Sequence, residues 1–232
     1  MRSLKTIPLQ PGLCHYAASM KKLTIGLGCG VLLLFGLIVI GLIVAATYNQ
    51  LVSRSQEVDK QWAQVQNVYQ RRADLIPNLV ATVSGAANFE KSTLTEITEA
   101  RASVGQVKLD PNQAPSDPAK LEEFQKAQAR LSSALSRLLV VVERYPELKA
   151  TTNFRDLQAQ LEGTENRITV ERQKFNDAVQ RYNTTIKTFP HLLLAGPAGF
   201  HPKPYFTAKE GADVPPKVEF NFGAPKPTPA KP

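Results

Sequence analysis

The hydrophobic pattern of the chain changes abruptly after residue 47. Residues 23–47 form an apolar run without Asp, Glu, Lys or Arg, and roughly 20 such residues suffice to cross the hydrocarbon core of a bilayer as an α-helix. No Pro or polar turn cluster separates this run from the sequence that follows. The pattern therefore predicts a transmembrane helix that continues out of the bilayer as one rod.

Beyond the span, apolar residues recur every three or four positions among polar ones, which is typical of an amphipathic helix. The first such stripe comprises Leu51, Ser55, Val58, Trp62, Val65, Tyr69, Ile76, Leu79, Val83 and Ala87. It thins at Arg72, and Pro77 predicts a bend because it removes a backbone hydrogen bond. Gly85 and Asn88 allow either a short break or an uninterrupted helix.

A loop over residues 105–117 precedes two further helices, the first of which we expect to begin with Asp117 as N-cap and Pro118 as first helical residue. Its stripe comprises Leu121, Phe124, Leu131, Leu135, Leu138 and Val142. A polar link then closes with Asn153 as the next cap, and Pro190 ends the last long helix. That helix has the most regular stripe, formed by Phe154, Leu157, Leu161, Thr164, Ile168, Phe175, Val179, Tyr182, Ile186 and Phe189.

These patterns predict an all-α fold, in which an N-terminal transmembrane helix is followed by an antiparallel up-and-down bundle. The bundle is expected because amphipathic helices bury their stripes against one another or against copies of the chain. The expected organisation is an N-terminal segment (1–22), a transmembrane helix (23–47), a bundle domain with a packed C-terminal segment (48–206), and a disordered Pro/Lys-rich tail (207–232). The N-terminal segment is either a short arm or an extension upstream of a second start at Met20.

The segment after Pro190 is too apolar for a free tail, so we expect it to pack along the bundle or against a partner. Its large apolar residues are Leu192, Leu193, Leu194, Phe200, Tyr205 and Phe206.

The charge distribution bears on partners and orientation. The formal net charge is +8, but acidic and basic residues are interleaved, so the sequence does not favour nucleic-acid binding. Lys21 and Lys22 precede the span directly, which by the positive-inside rule places the N-terminus in the cytoplasm and the bundle outside it.

Residues suited to catalysis or metal binding are scarce. The three histidines, His15, His191 and His201, lie in the N-terminal segment and the Pro-rich part of the chain. His191 and His201 could share a metal, but no Cys or paired carboxylate nearby completes a ligand set. We therefore expect no enzyme activity, no cofactor and no metal site.

The sequence RRADLIPNLV is the strongest candidate for a docking surface. Arg71, Arg72, Asp74, Pro77 and Asn78 would form a kinked polar face that holds a partner. The alternative, and the favoured interpretation, is an interhelical salt bridge made by these charges, with Asn78 bonding the turn that Pro77 interrupts.

The order of the span and three sequence motifs is typical of one known family. The span followed by RRADLIPNLV, YPELKA and FNDAVQRYN, in that order, resembles the bacterial LemA family over about residues 21–206. The resemblance implies a membrane-anchored helical bundle without established catalytic residues. The chain departs from the family at Phe89, where a His before the Glu is common.

The resulting functional hypothesis is a single-pass protein of the bacterial inner membrane whose bundle self-associates as a scaffold at the membrane surface. Its expected partners are the lipid bilayer and other copies of the chain. The alternative is an adaptor that holds a different membrane protein through RRADLIPNLV or through the apolar segment that begins at Leu192.

Overall fold

A computed structural model describes residues 12–85 and 89–207 of the chain, with side chains described from residue 30 onward. These residues form helices and connecting segments without a strand, as the all-α prediction requires. The helices are α1 (Gly12–Ser84), α2 (Lys91–Gln106), α3 (Pro118–Val142), α4 (Pro146–Lys149), α5 (Thr152–Lys187) and α6 (His191–Ala195). The expectations for residues 1–11, for Ala87 and Asn88, and for the tail from residue 208 onward lie outside the described residues.

Helix α1 carries both the apolar run and the first bundle stripe in 73 residues. Its part from Gly30 to Ser84 includes a segment long and apolar enough to cross a membrane. The large apolar side chains between Val31 and Val44 are 37 to 71% exposed. The protein itself therefore does not cover this segment.

The start and end of α1 refine the sequence prediction. The helix already begins at Gly12, inside the N-terminal segment that precedes the predicted span. Residues 12–22 contain no Pro, and extending an existing helix costs much less than nucleating one. At the other end, α1 continues through Pro77 and ends at Ser84, so a break separates it from α2.

Helix α1 runs antiparallel to α5 and packs closely against it. Trp62 meets Phe175, and ten residues further along α1 Arg72 meets Glu165, ten residues earlier in α5. Helix α2 turns back and packs on α3. The predicted up-and-down bundle is thus present, and its stripes supply most of the buried side chains.

The N-cap prediction is confirmed for α3 and wrong for α5. The Asp117 carboxylate accepts a hydrogen bond from the Ala119 amide at 2.9 Å. At α5 the cap is Thr151, whose hydroxyl accepts from the Phe154 amide, while Asn153 lies inside the first turn. The link from Pro146 already forms the short helix α4, which ends at Lys149 with Ala150 as its C-cap. Thr151 is therefore the residue that directly precedes α5 and caps it.

The C-terminal part of the chain divides into packed and exposed residues. Leu194, Phe200 and Phe206 contact the core, whereas Leu192, Leu193 and Tyr205 are exposed. Phe189, expected in the α5 stripe, is also exposed. Because α5 ends at Lys187, the helical period no longer directs residue 189 toward the core.

Candidate functional site

The five docking candidates do not form one accessible surface. Arg72 is only 2% exposed and points into the bundle. Arg71, Asp74, Pro77 and Asn78 are exposed on the outer side of α1. The guanidinium of Arg72 thus lies in the interior, while the other four residues face outward and remain candidates for docking.

Arg72 joins three helices through its guanidinium group. Nη1 donates to Ser132 Oγ at 2.9 Å and to Glu165 Oε2 at 2.8 Å. Nη2 donates to the side-chain and backbone oxygens of Gln128. For this residue the salt-bridge interpretation is therefore the correct one.

The surroundings of Arg72 explain why a charged residue can interrupt the apolar stripe. The guanidinium lies 5.2 Å from the centre of the Tyr69 ring, a cation–π contact. Its aliphatic stem can pack in the core while the charged head reaches the partly exposed Glu165. Burial raises the pKa of the Tyr69 phenol, and the positive charges of Arg172 and Arg72 oppose this effect.

A second polar cluster surrounds Asp59, nearer the apolar segment of α1. Lys203 Nζ donates to Asp59 Oδ1 at 2.6 Å, and the same oxygen accepts from the Ala114 amide at 3.0 Å. The Lys203 and Asp59 side chains are 10 and 12% exposed. This carboxylate thereby ties α1 to both the α2–α3 loop and the C-terminal segment.

Two asparagines of α5 hold the C-terminal segment by paired hydrogen bonds. The Asn176 amide donates to the Phe206 carbonyl and accepts from its N–H, and Asn183 does the same with Lys203. All four distances lie between 2.9 and 3.0 Å. Residues 203–206 are therefore fixed along α5 as an extended strap.

Tyr182 and Trp62 complete the attachment of this strap. Tyr182 Oη donates to the His201 carbonyl, and both burial and the nearby Asp59 carboxylate raise the pKa of the phenol. The phenol consequently stays a neutral donor. Trp62 contacts the ring of Phe206 and donates through Nε1 to the Asp110 carbonyl at 3.0 Å.

The hydrophobic pattern of α5 does not by itself reveal the two asparagines as attachment points. A usable signal was present, since Asn176 and Asn183 are seven residues apart and therefore lie on the same side of α5. Amides at that spacing on a buried face need polar partners, which a neighbouring backbone can supply.

His191 and His201 have different hydrogen-bond partners in the C-terminal region that the structure describes. His191 Nε2 hydrogen-bonds Gln50 Oε1 at 2.9 Å, whereas the His201 carbonyl binds Tyr182. Within the part of the chain whose side chains are described, no three His, Cys, Asp or Glu residues lie close enough to hold a metal ion.

Comparisons with known proteins identify relatives of low identity and broad coverage. Residues 61–220 match the sequence profile of the LemA family. Magnetosome proteins MamQ 1 and MamQ 2 of Paramagnetospirillum magneticum are each 26% identical over 187 residues, which covers 72% of this chain and 67% of theirs. Protein LemA of Metamycoplasma hominis is 23% identical over 160 residues, 68% of each chain.

Proposed function

Because this chain belongs to the LemA family, whose profile spans residues 61–220, we propose that it is a single-pass membrane protein whose bundle self-associates as a non-enzymatic scaffold. The continuity of α1 supports this proposal most strongly. The same helix supplies the apolar segment and the buried stripe from Leu51 to Val83. A bundle built on that helix is held at the bilayer surface in a defined orientation.

The apolar segment also offers a surface for contacts between copies. Gly30, Gly36 and Gly41 have open space around their Cα atoms within the chain. Small residues in membrane helices allow two backbones to approach closely. In the bundle, Val140 and Val170 are exposed on α3 and α5. The α5 stripe up to Ile186 is buried or half-buried within the chain, so it is not available for lateral contacts.

The names of the relatives are consistent with a structural role. Those that resemble this chain are called magnetosome proteins or LemA, and neither name denotes a reaction. The magnetosome proteins are relatives associated by name with a cellular structure. In this chain the corresponding role would be organisation at a membrane.

One observation favours an adaptor as the second candidate function. Arg71, Asp74, Pro77 and Asn78 are exposed on one stretch of α1. They offer charges, an amide and an apolar ring to a partner without disturbing the core.

Photo-crosslinking in living cells distinguishes the two functions. Probes at the exposed positions Gln70, Val140 and Val170 sample α1, α3 and α5, and the buried Val65 serves as a matched negative control. Self-association predicts covalent dimers of this chain from at least one exposed position. Capture of a single different protein from Gln70, without any dimer from the three positions, would favour the adaptor.

The proposed orientation places the bundle outside the cytoplasm of a bacterial inner membrane, because Lys21 and Lys22 precede the apolar run. A Val140→Cys variant, with Cys14 and Cys29 changed to Ser, should react with a membrane-impermeant maleimide in intact cells. The same variant in lysed cells gives the full labelling level. Labelling only after lysis would reverse the orientation.

A further inference from the structure

Three apolar side chains are exposed at the end of the bundle where α5 stops. Phe189 is 79% exposed, Leu192 57% and Leu193 64%. We refer to these three residues as the basal patch. They stand within five residues of one another, so the exposed apolar groups are concentrated on one short segment.

The basal patch lies level with the point where the apolar part of α1 ends. Helices α1 and α5 are antiparallel, and His191 Nε2 hydrogen-bonds Gln50 Oε1 at 2.9 Å. Phe200 contacts Tyr48 with ring centres 6.0 Å apart. Gln50 is three residues beyond Thr47, roughly 4.5 Å along the helix axis.

The fold holds α6 in a fixed position at this level. Ala195 is buried and Leu194 packs on the core, which leaves the neighbouring Leu192 and Leu193 facing outward. Gly199 has φ of +80°, a conformation that favours glycine, and reverses the chain so that the Phe200 amide donates to the Ala195 carbonyl at 2.8 Å. The exposure of the patch is thus a property of a packed structure.

We propose that the basal patch inserts into the interfacial layer of the same bilayer that α1 crosses. The occupant is lipid because the patch lies at the level of Tyr48 and Gln50, directly beyond the apolar run of α1. Amphipathic segments at this depth bury apolar side chains among headgroups and acyl chains. Lys187, exposed in the last turn of α5, is placed for the phosphates of anionic headgroups. This inference rests on the membrane anchoring in the proposed function and not on self-association.

Fluorescence quenching by nitroxide lipids tests the contact in the full chain. Cys14 and Cys29 are replaced by Ser, and one fluorophore is attached at Leu192→Cys or Leu193→Cys. The protein is reconstituted in vesicles of phosphatidylcholine and phosphatidylglycerol with nitroxides either near the headgroup or within the acyl chains. Both labels should lose fluorescence to these lipids, as should a label at Ile40→Cys in the apolar part of α1.

Control positions make each outcome decisive. A label at Val140→Cys, exposed on α3 at the opposite end of the bundle, should not be quenched by lipid nitroxides. Labels at 192 and 193 that behave like the one at 140 would overturn the proposal. A blue-shifted label that lipid does not quench would also overturn it, in favour of a protein partner. Loss of quenching at Ile40 would instead refute the anchoring itself.

Discussion

Asp59→Ala is expected to destabilise the folded bundle by roughly 3–5 kcal/mol, the range found when one partner of a buried ion pair is removed. The substitution leaves the Lys203 ammonium, whose side chain is 10% exposed, without the carboxylate at 2.6 Å. It also removes the acceptor of the Ala114 amide. The destabilisation cannot exceed the free energy with which the strap packs on the bundle, because release of the strap would return Lys203 to water.

Two measurements on the full chain in mild detergent separate these effects. Urea unfolding followed by far-UV circular dichroism gives the free energy of unfolding, and limited proteolysis reports release of the strap. Glu57→Ala is the matched control, since Glu57 lies half a turn away on α1 and pairs with the exposed Lys60 and the half-buried Gln61. Equal unfolding midpoints and equal proteolysis for the two variants would contradict the role assigned to Asp59.

Arg72→Ala should cost about 3 kcal/mol, combining the loss of a buried stem with an unpaired Gln128 side chain. Helices α3 and α5 lose their shared link to α1, because the guanidinium binds Ser132 and Gln128 of α3 and Glu165 of α5. The fluorescence of Trp62, the single tryptophan, follows unfolding from within the core.

The adjacent arginine provides the control for this prediction. Arg71 is exposed, so Arg71→Ala should change the free energy of unfolding by no more than about 0.5 kcal/mol. Replacing both buried polar partners with apolar residues, Arg72→Met with Gln128→Leu, should recover much of the loss. A double variant less stable than Arg72→Ala would show that the polar cluster contributes more than its burial costs.

The fold could be predicted from the sequence where one helix face decides the structure. The stripes from Leu51 to Val83 and from Leu121 to Val142 are buried as the three- and four-residue spacings indicated. The Asp117 cap followed from its position before Pro118. At α5, Thr151 and Asn153 are both residue types that cap helices well. Which of them is the N-cap depends on where α4 ends, and the sequence pattern did not show α4.

The polar clusters could be predicted only in part, because their partners are distant in sequence. The thinning of the stripe at Arg72 was visible, and a salt bridge was one of two interpretations. Its partners lie 56 to 93 residues away, so they depend on how α3 and α5 pack. Asp59 and Lys203 are 144 residues apart, and their pairing required the reversal at Gly199.

The most direct test of the proposed scaffold is the number of copies in one native membrane particle. Full chains carrying one fluorophore each would be extracted from their membrane into nanodiscs at low protein concentration and counted by stepwise photobleaching. Self-association predicts that most particles bleach in the same number of steps, two or more. Single-step bleaching in nearly all particles, from protein that retains its helicity and its intact span, would contradict it.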